Sequence, residues 1–512
     1  MRSTCLLLLV GVASPLSAQT APAIHSAAAT ITADDVRHRI EVIADDSMGG
    51  RDTPSPGLDK TAQYVADEFR RFGLRPGGEN GTWFQRYRII RSQIDPTQSH
   101  AGFMVRGKHL HVSLERDARF WFGGVPEEEP HGQAVLIGGP VSDADVAALD
   151  VRGKAVLLVA DLAAQPNRAL FGALNQLGES GVVGVMVVSN RDSAAFARSV
   201  ASQARVRMEI PGLTASGGAP VIEVQERALT AVLSEAGIDA AAVRTATTPV
   251  IREIPGLTLG FGVKSKLVDS TSAPNTIGML EGSDPGLRDE YVIFTAHMDH
   301  IGTAGSGSCR IKGADSICNG ADDDASGTVG VVELAEAFSR SGAQPRRSVI
   351  FMTVSGEEKG LRGSAYYAAH PTVPLGQIVA DINIDMIGRN WPDTIVAIGR
   401  EHSDLGETLA RVQAAHPELG MAAIDDRWPE ESFYTRSDHF NFARKGVPIL
   451  FFFNGVHDDY HQASDSPDKI DADKESRILK LLFYLGQEIA NATERPKWNP
   501  ASYDKYVEKG AN

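Results

Sequence analysis

Residues 291–302 read YVIFTAHMDHIG. The apolar and β-branched run before His297 predicts a buried β-strand that carries this histidine at its carboxyl end. Three later runs repeat the arrangement: RSVIFMTVSGEE ends at Glu358, IVADINIDM surrounds Asp385, and VPILFFFNG leads into the segment that ends at His461. Functional groups of open α/β sheets gather in the crevice outside the carboxyl ends of the strands, so one crevice can collect these side chains.

Together with one aspartate between the first two runs, these positions form a set of metal-ligand-type residues. In chain order they are His297, Asp323, Glu358, Asp385 and His461. Two histidines with three carboxylates suit a pair of zinc ions better than a single ion. One carboxylate can bridge the ions, each of which then takes one imidazole and one further carboxylate. A water held between the ions is acidic enough to be a nucleophile near neutral pH.

A general base beside that water must be a carboxylate that does not ligate strongly. Glu357 directly precedes Glu358, and adjacent side chains diverge at a strand end, so one can face the metal and the other the proton of the water. Taken alone, a Glu-Glu pair after a strand is more often a charged turn. Tyr460, beside His461, offers a phenol to a developing oxyanion.

Two further patterns surround the predicted ligands. Asp299 lies two residues from His297, on the same side of an extended chain, where its carboxylate can orient the imidazole. Asp323 lies in NGADDDASG, a tight polar turn of the kind that brings backbone close to ions. These neighbourhoods favour a metal site over a charged turn.

The residues resemble the co-catalytic dizinc aminopeptidase family, zinc exopeptidases related to bacterial leucyl aminopeptidases, glutamate carboxypeptidases and glutaminyl cyclases. The resemblance covers most of the mature chain and rests on the joint pattern HxD, GADDDASG, SGEEKGLRGS, NIDMIG and YHQASD. It implies an α/β fold of the phosphorylase/hydrolase-like type, a three-layer sandwich around a mixed, mostly parallel sheet.

The same resemblance assigns the ligands to two zinc ions. His297 and Asp385 are implied as ligands of one ion, and Glu358 and His461 as ligands of the other. Asp323 is implied as the bridge, since the family's spacing to the following Ala-Ser-Gly falls on this aspartate. A cis peptide bond is often found after that residue in the family.

The resemblance also implies roles around the metals. Glu357 resembles the general base and Tyr460 the oxyanion donor, while Asp299 supports His297. Asp438, in SDHFNFARKGVP, resembles a residue close to the site that does not bind metal itself.

Residues 1–18 have the pattern of a cleaved secretory signal, with one arginine, an apolar core and small residues at its end. The segment is too short for a spanning helix, and no other apolar run approaches membrane length. The mature protein is therefore expected to be periplasmic or extracellular. The formal net charge of −15 argues against nucleic acid or an anionic membrane surface as a partner. The expected partner is a peptide substrate.

Two cysteines remain after the signal, Cys309 and Cys318, in SCRIKGADSIC. They are either a disulfide that closes a small loop beside the site or two free thiols. Export and the short separation favour the disulfide.

The chain divides into further segments. Residues 19–31 are Ala-, Thr- and Ser-rich and are predicted to be a flexible lead-in. Residues 32–119 and 251–495 are predicted to form the two parts of the peptidase domain, and 496–512 a polar tail. Residues 120–250 read as a β-rich insertion that resembles a protease-associated domain through VRGKAVLLV and LGESGVVGVMVVS. This insertion either shapes the entrance to the site or is a spacer.

The sequence therefore predicts a zinc-dependent exopeptidase, in the first place an aminopeptidase. A carboxypeptidase or a glutaminyl cyclase can use nearly the same residues, although cyclases of this family work with one zinc. A receptor-like protein on the same scaffold is the remaining alternative, but such relatives have lost ligands, and none is missing here.

Overall fold

The computed structural model describes residues 17–141, 145–146, 148–162, 168–213, 218–305, 307–311, 313–340 and 344–510. The predicted signal peptide, residues 1–18, lies outside this part except for its last two residues. The chain forms two compact units. The first comprises the residues up to Tyr87 together with Ser272–Asn512, and the second is Arg88–Thr271. The second unit is thus an insertion in the first.

Strands are numbered here in chain order. They are β1 (Arg75–Pro76), β2 (Phe84–Ile94), β3 (His100–Val105), β4 (Lys108–Ser113), β5 (Ala118–Phe122), β6 (His131–Gly138), β7 (Ala155–Val159), β8 (Gly184–Ser189), β9 (Arg207–Glu209), β10 (Val221–Gln225), β11 (Val250–Gly262), β12 (Ser265–Leu280), β13 (Tyr291–His297), β14 (Ser348–Val354), β15 (Ile378–Ile384), β16 (Thr394–Ile398), β17 (Ala422–Ile424) and β18 (Ile449–Phe452).

The α-helices alternate with these strands. They are Ser17–Ala28, Ala33–Ile43, Pro56–Arg71, Arg168–Glu179, Ser193–Ser202, Thr230–Glu235, Ala240–Arg244, Gly327–Ser339, Arg362–Ala369, Leu405–Ala415, His439–Ala443, Ala472–Asn491 and Pro500–Tyr506.

The sheet of the first unit runs in the order β17, β16, β18, β15, β13, β14 and β12. Its centre is parallel: β13 pairs with β14 and β15, and β15 pairs with β18. The outer pairs β12 with β14 and β16 with β18 are antiparallel. Because the central strands run in one direction, the segments that follow them leave the sheet at one edge. In the register, His297 pairs with Val354, so β13 and β14 end side by side.

The core of this unit lies on both faces of the sheet. Nearly all of β13, β14 and β15 is buried, as expected for parallel strands covered by helices. Helices Gly327–Ser339 and Ala472–Asn491 contribute the facing apolar side chains. The rings of Phe294, Phe338 and Phe351 lie about 5.7 Å apart at the centre of this contact. This packing supports the strands that end at the carboxyl edge of the sheet.

The amino-terminal segment differs from the predicted flexible lead-in, because Ser17–Ala28 is a helix. Alanine has the highest helix propensity, and the sequence is rich in it. Ala27, Ala28 and Ile31 are buried in the core of the first unit. Burial of these apolar side chains fixes a segment whose composition alone favours a linker.

The predicted polar tail, residues 496–512, also folds onto the first unit over its described part, residues 496–510. Pro500–Tyr506 is helical, with Asn499 as its N-cap. Trp498 Nε1 donates a hydrogen bond to Gly446 O at 2.9 Å.

The second unit is built on the sheet β4, β3, β11, β6, β7, β8, β10 and β5. The predicted insertion, residues 120–250, is too short at both ends. Strands β3 and β4 precede residue 120, and β11 continues to Gly262 while it pairs with both β3 and β6. The unit contains all of these paired strands only when residues 88–271 are taken together.

A buried ion cluster lies inside the second unit. Glu223 is fully buried and accepts hydrogen bonds from Arg119 Nε at 2.6 Å, Ser189 Oγ at 2.6 Å and Arg191 Nε at 3.1 Å. The charge of this carboxylate is therefore compensated by side chains of the same unit.

Within the described parts of the chain, every helix is too short or too polar to span a lipid bilayer.

Candidate metal centre

The parallel strands deliver the predicted ligands to one edge of the sheet. His297 is the last residue of β13, Glu358 follows β14 by four residues, and Asp385 follows β15 directly. His461 lies in the loop after β18, with φ +56°. Asp323 comes from the turn Ala321–Ser326 that leads into helix Gly327–Ser339. All five side chains meet in one cluster.

Asp323 stands between the two histidines of this cluster. Its Oδ1 lies 3.3 Å from His297 Nε2, and its Oδ2 lies 3.2 Å from His461 Nε2. On the first side, Asp385 Oδ1 is 3.7 Å from His297 Nε2. On the second side, Glu358 Oε2 is 3.3 Å from His461 Nε2. Two ligands of one tetrahedral zinc lie about 3.3 Å apart, since each bond is about 2.0 to 2.1 Å long. The spacing fits one ion on each side of Asp323.

Several atoms of the cluster are shielded from solvent and make no hydrogen bond. They are Asp323 Oδ2, Glu358 Oε1 and His461 Nε2. Buried polar atoms nearly always have a partner. A divalent cation bonded to these atoms would supply the missing partner, so the residues fit the metal that this donor set implies.

The electrostatics of the cluster also favour positive charge at its centre. Burial lowers the pKa of His461, but Asp323 and Glu358 raise it to about 10. Burial likewise lowers the pKa of His297, while Asp324 and other carboxylates hold it well above its usual value. Burial raises the pKa of Asp323, but the neighbouring histidines hold it well below its usual range. The Asp323 carboxylate therefore stays ionised and attracts cations.

The three consecutive aspartates have three different surroundings. Only Asp323 faces the histidines from both oxygens. Asp322 Oδ1 accepts a hydrogen bond from Gly388 N at 2.6 Å. Asp324 accepts from three backbone N–H groups, those of Gly327 at 2.8 Å, His297 at 3.1 Å and Met386 at 3.1 Å. The bond between Asp323 and Asp324 is cis, as the resemblance implies.

Arg51 joins the loops that carry His297 and Asp323, and sequence reasoning missed it. Its side chain is fully buried. The guanidinium donates to four backbone carbonyls, those of Met298 at 2.9 Å, Gly320 at 2.9 Å, Ile43 at 3.0 Å and Asn319 at 2.5 Å. Gly320 itself has φ +56°, and a Cβ there would lie 2.1 Å from Asp323 O. The turn therefore requires glycine.

Asp299 supports His297 in a different way from the one predicted. His297 Nδ1 lies 3.1 Å from the backbone O of Asp299, whereas the Asp299 carboxylate is 3.7 Å away. That carboxylate accepts from Thr53 Oγ1 at 2.8 Å and from Glu357 N at 3.2 Å. Asp299 thus positions His297 through its main chain and the backbone of Glu357 through its side chain.

Asp438 does not contact a predicted ligand through a hydrogen bond. It accepts one from Ser364 Oγ, and burial raises the pKa of its carboxyl to about 7. The preceding residue, Ser437, donates from Oγ to Asp385 Oδ2 at 2.8 Å. Ser437 is thus the member of the SDH sequence that orients the ligand, a choice that the sequence alone leaves open.

A cavity opens over one side of the cluster. It is lined by His297, Asp323, Asp385, Glu357 and Tyr460, and by the apolar side chains Met386, Phe433, Phe451, Phe453 and Val456. Arg436 and Ser437 complete the lining. Burial raises the pKa of the Glu357 carboxyl well above its usual range. Burial also raises the pKa of the Tyr460 phenol, which therefore keeps its proton as a hydrogen-bond donor. Both predicted catalytic side chains face the same space as the ligands.

His300 is a further histidine in the cluster that the prediction did not use. It is fully buried, and its Nδ1 lies 2.9 Å from Glu358 Oε1 and 3.6 Å from Asp323 Oδ2. Its donor atoms group with those of Asp323 and Glu358, as those of His297 group with Asp323 and Asp385. The sequence does indicate this residue, because His300 is the second histidine of the HMDH motif that begins at His297.

The predicted disulfide is confirmed. Cys309 and Cys318 are bonded, with their Cα atoms 5.6 Å apart. The bond closes the loop between the His297 strand and the Asp323 turn.

Comparison with known proteins gives consistent relatives. The profile of peptidase family M28 matches residues 275–486. A probable zinc metalloprotease of Pyrenophora tritici-repentis is 28% identical over 236 residues, which are 40% of this chain and 46% of that protein. Leupeptin-inactivating enzyme 1 of Streptomyces exfoliatus is 28% identical over 200 residues, which are 38% of this chain and 40% of that protein. The chain spans about half the length of the curated relatives it matches.

Among solved structures, the aminopeptidase from Aneurinibacillus sp. strain AM-1 superposes with a TM-score of 0.51 at 18% identity. The match covers 92% of this chain and 97% of that chain. At this identity the likeness shows the fold, and it confirms the α/β class. The matched profile includes every strand and loop that carries a ligand-type side chain described above, and residues 275–486 of this chain belong to peptidase family M28.

Proposed function

We propose that the protein is an exported two-zinc exopeptidase, and specifically an aminopeptidase that removes N-terminal residues from peptides. One observation carries the proposal. The two carboxylate oxygens of Asp323 face two different histidines at 3.3 and 3.2 Å, and each histidine is close to a second carboxylate. This arrangement provides a ligand set for an ion on each side of a bridging carboxylate. His297 and Asp385 would hold one ion, and Glu358 and His461 the other.

Zinc bound there supplies an acidified water and polarises a substrate carbonyl. Glu357 would accept the proton of the attacking water, since it faces the cavity and burial raises the pKa of its carboxyl, which makes the ionised carboxylate a stronger base. It would then deliver that proton to the leaving amine. Tyr460 would donate a hydrogen bond to the oxyanion as the carbonyl becomes tetrahedral.

The lining of the cavity supports recognition of an amino terminus. Asp385 and Glu357 offer negative charge to a free ammonium group, while Phe433, Phe451 and Phe453 form an apolar wall for one side chain. We therefore propose peptides with an apolar N-terminal residue as substrates.

Arg436 favours a second candidate, a carboxypeptidase. It lies on the same cavity and can pair with a substrate carboxylate. Against this role, its Nη1 is 3.2 Å from Glu431 Oε2, and its guanidinium lies over the ring of Phe433. Arg436 is thus already paired with the carboxylate of Glu431.

Export is supported by the Cys309–Cys318 disulfide, because such bonds persist in oxidising compartments. We also propose that residues 88–271 are a protease-associated domain. The support is a compact β-rich unit inserted between two parts of the peptidase unit.

The test is hydrolysis of matched free and N-acetylated peptides by the zinc-loaded protein. An aminopeptidase cleaves the free series from its amino end and leaves the acetylated series intact. Cleavage of the acetylated series from the carboxyl end, lost in Arg436→Gln, would establish the carboxypeptidase instead. Release of ammonia from an N-terminal glutamine without hydrolysis would indicate a cyclase. Two bound zinc ions without turnover of either series would indicate the receptor-like alternative.

A further inference from the structure

His300 reaches the same two carboxylates as His461. His300 Nδ1 lies 2.9 Å from Glu358 Oε1 and 3.6 Å from Asp323 Oδ2. His461 Nε2 lies 3.3 Å from Glu358 Oε2 and 3.2 Å from Asp323 Oδ2. The two imidazole rings are 5.7 Å apart and inclined at 70°, so their nitrogens approach the carboxylates from different directions. These spacings are close to the distance between two ligand atoms of one tetrahedral zinc ion, about 3.3 Å.

The short contacts of His300 are not hydrogen bonds. Neither nitrogen of His300 has a hydrogen-bond partner, and the same holds for Glu358 Oε1 and Asp323 Oδ2. A hydrogen bond needs alignment as well as distance. A shared cation requires ligand atoms that lie close together without forming hydrogen bonds to each other, and these atoms have that arrangement.

The turn before Asp323 holds this imidazole in place. A Cβ at Gly320 would lie 2.6 Å from Cγ and Cδ2 of the His300 ring. The ring therefore packs directly on the backbone of the turn, and its Nδ1 is fixed towards the carboxylates.

We propose that His300 is an additional ligand of the ion on the Glu358 side. The proposal rests on the two-zinc function proposed above. Four protein groups would hold this ion: His300, Asp323, Glu358 and His461. The ion on the other side would have three, from His297, Asp323 and Asp385.

The two ions then differ in what they do. Zinc sites with four protein ligands are closed, whereas catalytic sites keep an open position. The cavity supports the same division, since it is lined by His297, Asp323 and Asp385 but not by Glu358, His461 or His300. The residues on the Glu358 side would thus hold an ion with a structural role, and the cavity would place a substrate carbonyl on the His297 side.

The first experiment uses the unaltered protein loaded with zinc. Zinc-edge X-ray absorption counts the imidazole ligands. The proposal requires three imidazoles shared by two ions, from His297, His300 and His461. Two imidazoles for two ions would overturn the role of His300 and leave the proposed function intact. Binding of fewer than two ions by the unaltered protein would overturn both.

The second experiment separates ligation from hydrogen bonding. Asp and Asn each place a side-chain atom where His300 has Nδ1, but only Asp is a good zinc ligand and only Asn can donate a hydrogen bond to Glu358. Zinc retention is measured by competition with a chelator. We expect His300→Asn to weaken one ion by more than about 100-fold, beyond the effect of outer partners, and His300→Asp to stay within about tenfold of the unaltered protein.

The matched control is His457→Asn. His457 is also a histidine beside this turn, but its Nε2 lies 3.2 Å from Asp322 Oδ2, away from the proposed ligand set. Its zinc retention should be unchanged. Retention by His300→Asn with loss in His300→Asp would show that His300 only orients Glu358 by a hydrogen bond, and the proposal would be wrong.

Discussion

Buried carboxylates are neutralised in opposite ways in the two units of this protein. In the second unit, Glu223 is paired with Arg119 and Arg191 and accepts a further bond from Ser189. In the first unit, Asp323 Oδ2 and Glu358 Oε1 are also shielded from solvent, but neither oxygen makes a hydrogen bond. Shielded polar atoms without a hydrogen-bond partner are costly, and we propose that the second arrangement takes up a cation from solution. On this proposal, the difference distinguishes a cluster that stabilises the fold from one that binds a metal ion.

The largest expected effect tests whether cation binding and proton transfer belong to different side chains. Glu357→Gln keeps the size of the side chain but cannot accept a proton. Turnover should fall by about two to four orders of magnitude, the usual range for a lost general base. Zinc content should stay near two per chain, because Glu358 supplies the ligand.

The matched variant is Glu358→Gln, which should weaken one ion. If Glu357→Gln stays active while Glu358→Gln is inactive with both ions retained, the two roles have been assigned the wrong way round. Zinc analysis and turnover on the same preparations give the answer.

Removing one carboxylate from each cluster tests whether only the cluster around Asp323 binds metal. Asp323→Ala should lower bound zinc well below two per chain and remove the stabilisation that zinc gives. Glu223→Gln should leave zinc unchanged but lower the free energy of unfolding by about 3 to 5 kcal/mol, because two arginines lose their buried partner. Normal zinc in Asp323→Ala would contradict the bridging assignment. Loss of zinc in Glu223→Gln would contradict the distinction between the clusters.

Asp381 is a third kind of buried carboxyl, because within the described ranges it forms no ion pair and belongs to neither group of metal-ligand-type residues. Thr295 Oγ1 donates to its Oδ1 at 2.8 Å, and burial raises its pKa from 3.8 to about 8. Between pH 4 and 8 the unfolded chain loses this proton while the folded protein keeps it. The free energy of unfolding should therefore fall by about 1.4 kcal/mol per pH unit across this window from this group alone.

Asp381→Asn cannot titrate, so it should lack this fall. The difference in unfolding free energy between the variant and the unaltered protein should grow in favour of the variant from pH 4 to 8, as measured by urea denaturation. A difference that is constant with pH would show that Asp381 is ionised in the folded protein.

The smallest effect concerns the loop beside the first cluster. Replacing Cys309 and Cys318 together by serine removes a cross-link across a short loop, which should lower the free energy of unfolding by about 2 to 3 kcal/mol. Zinc content should not change, because both cysteines pack with Ile301 and Ala463 in a small apolar cluster of their own. Two titratable thiols in the unfolded, unreduced protein would show that the cross-link does not form in solution.

The sequence was most informative where local pattern and sheet geometry agree. His297, Glu358 and Asp385 each end an apolar run, and parallel strands bring such ends together. The helix Ala33–Ile43 follows the same kind of local rule, because Thr32 caps it and its apolar residues repeat at helical spacing.

The rest depended on tertiary structure. Ser437 and Asp438 are neighbours, and only the backbone torsions decide which one reaches Asp385. The limits of the insertion were missed because β2 and β12 are long strands that continue past the boundary between the units. Arg51 gave no signal, since the loops it joins lie more than 240 residues further along the chain.

Arg51 has a consequence for how proteins with this site can be divided and recombined. The family profile begins at residue 275 and includes all the proposed ligands, yet the guanidinium that fixes two of their loops comes from a segment far upstream. Thr53, which binds Asp299, comes from the same segment. A fragment spanning 275–486 would inherit the complete set of metal-binding side chains without the brace that sets their spacing. In this protein, the part of the chain that is needed to hold the metal-binding side chains in place is larger than the part that the family profile matches.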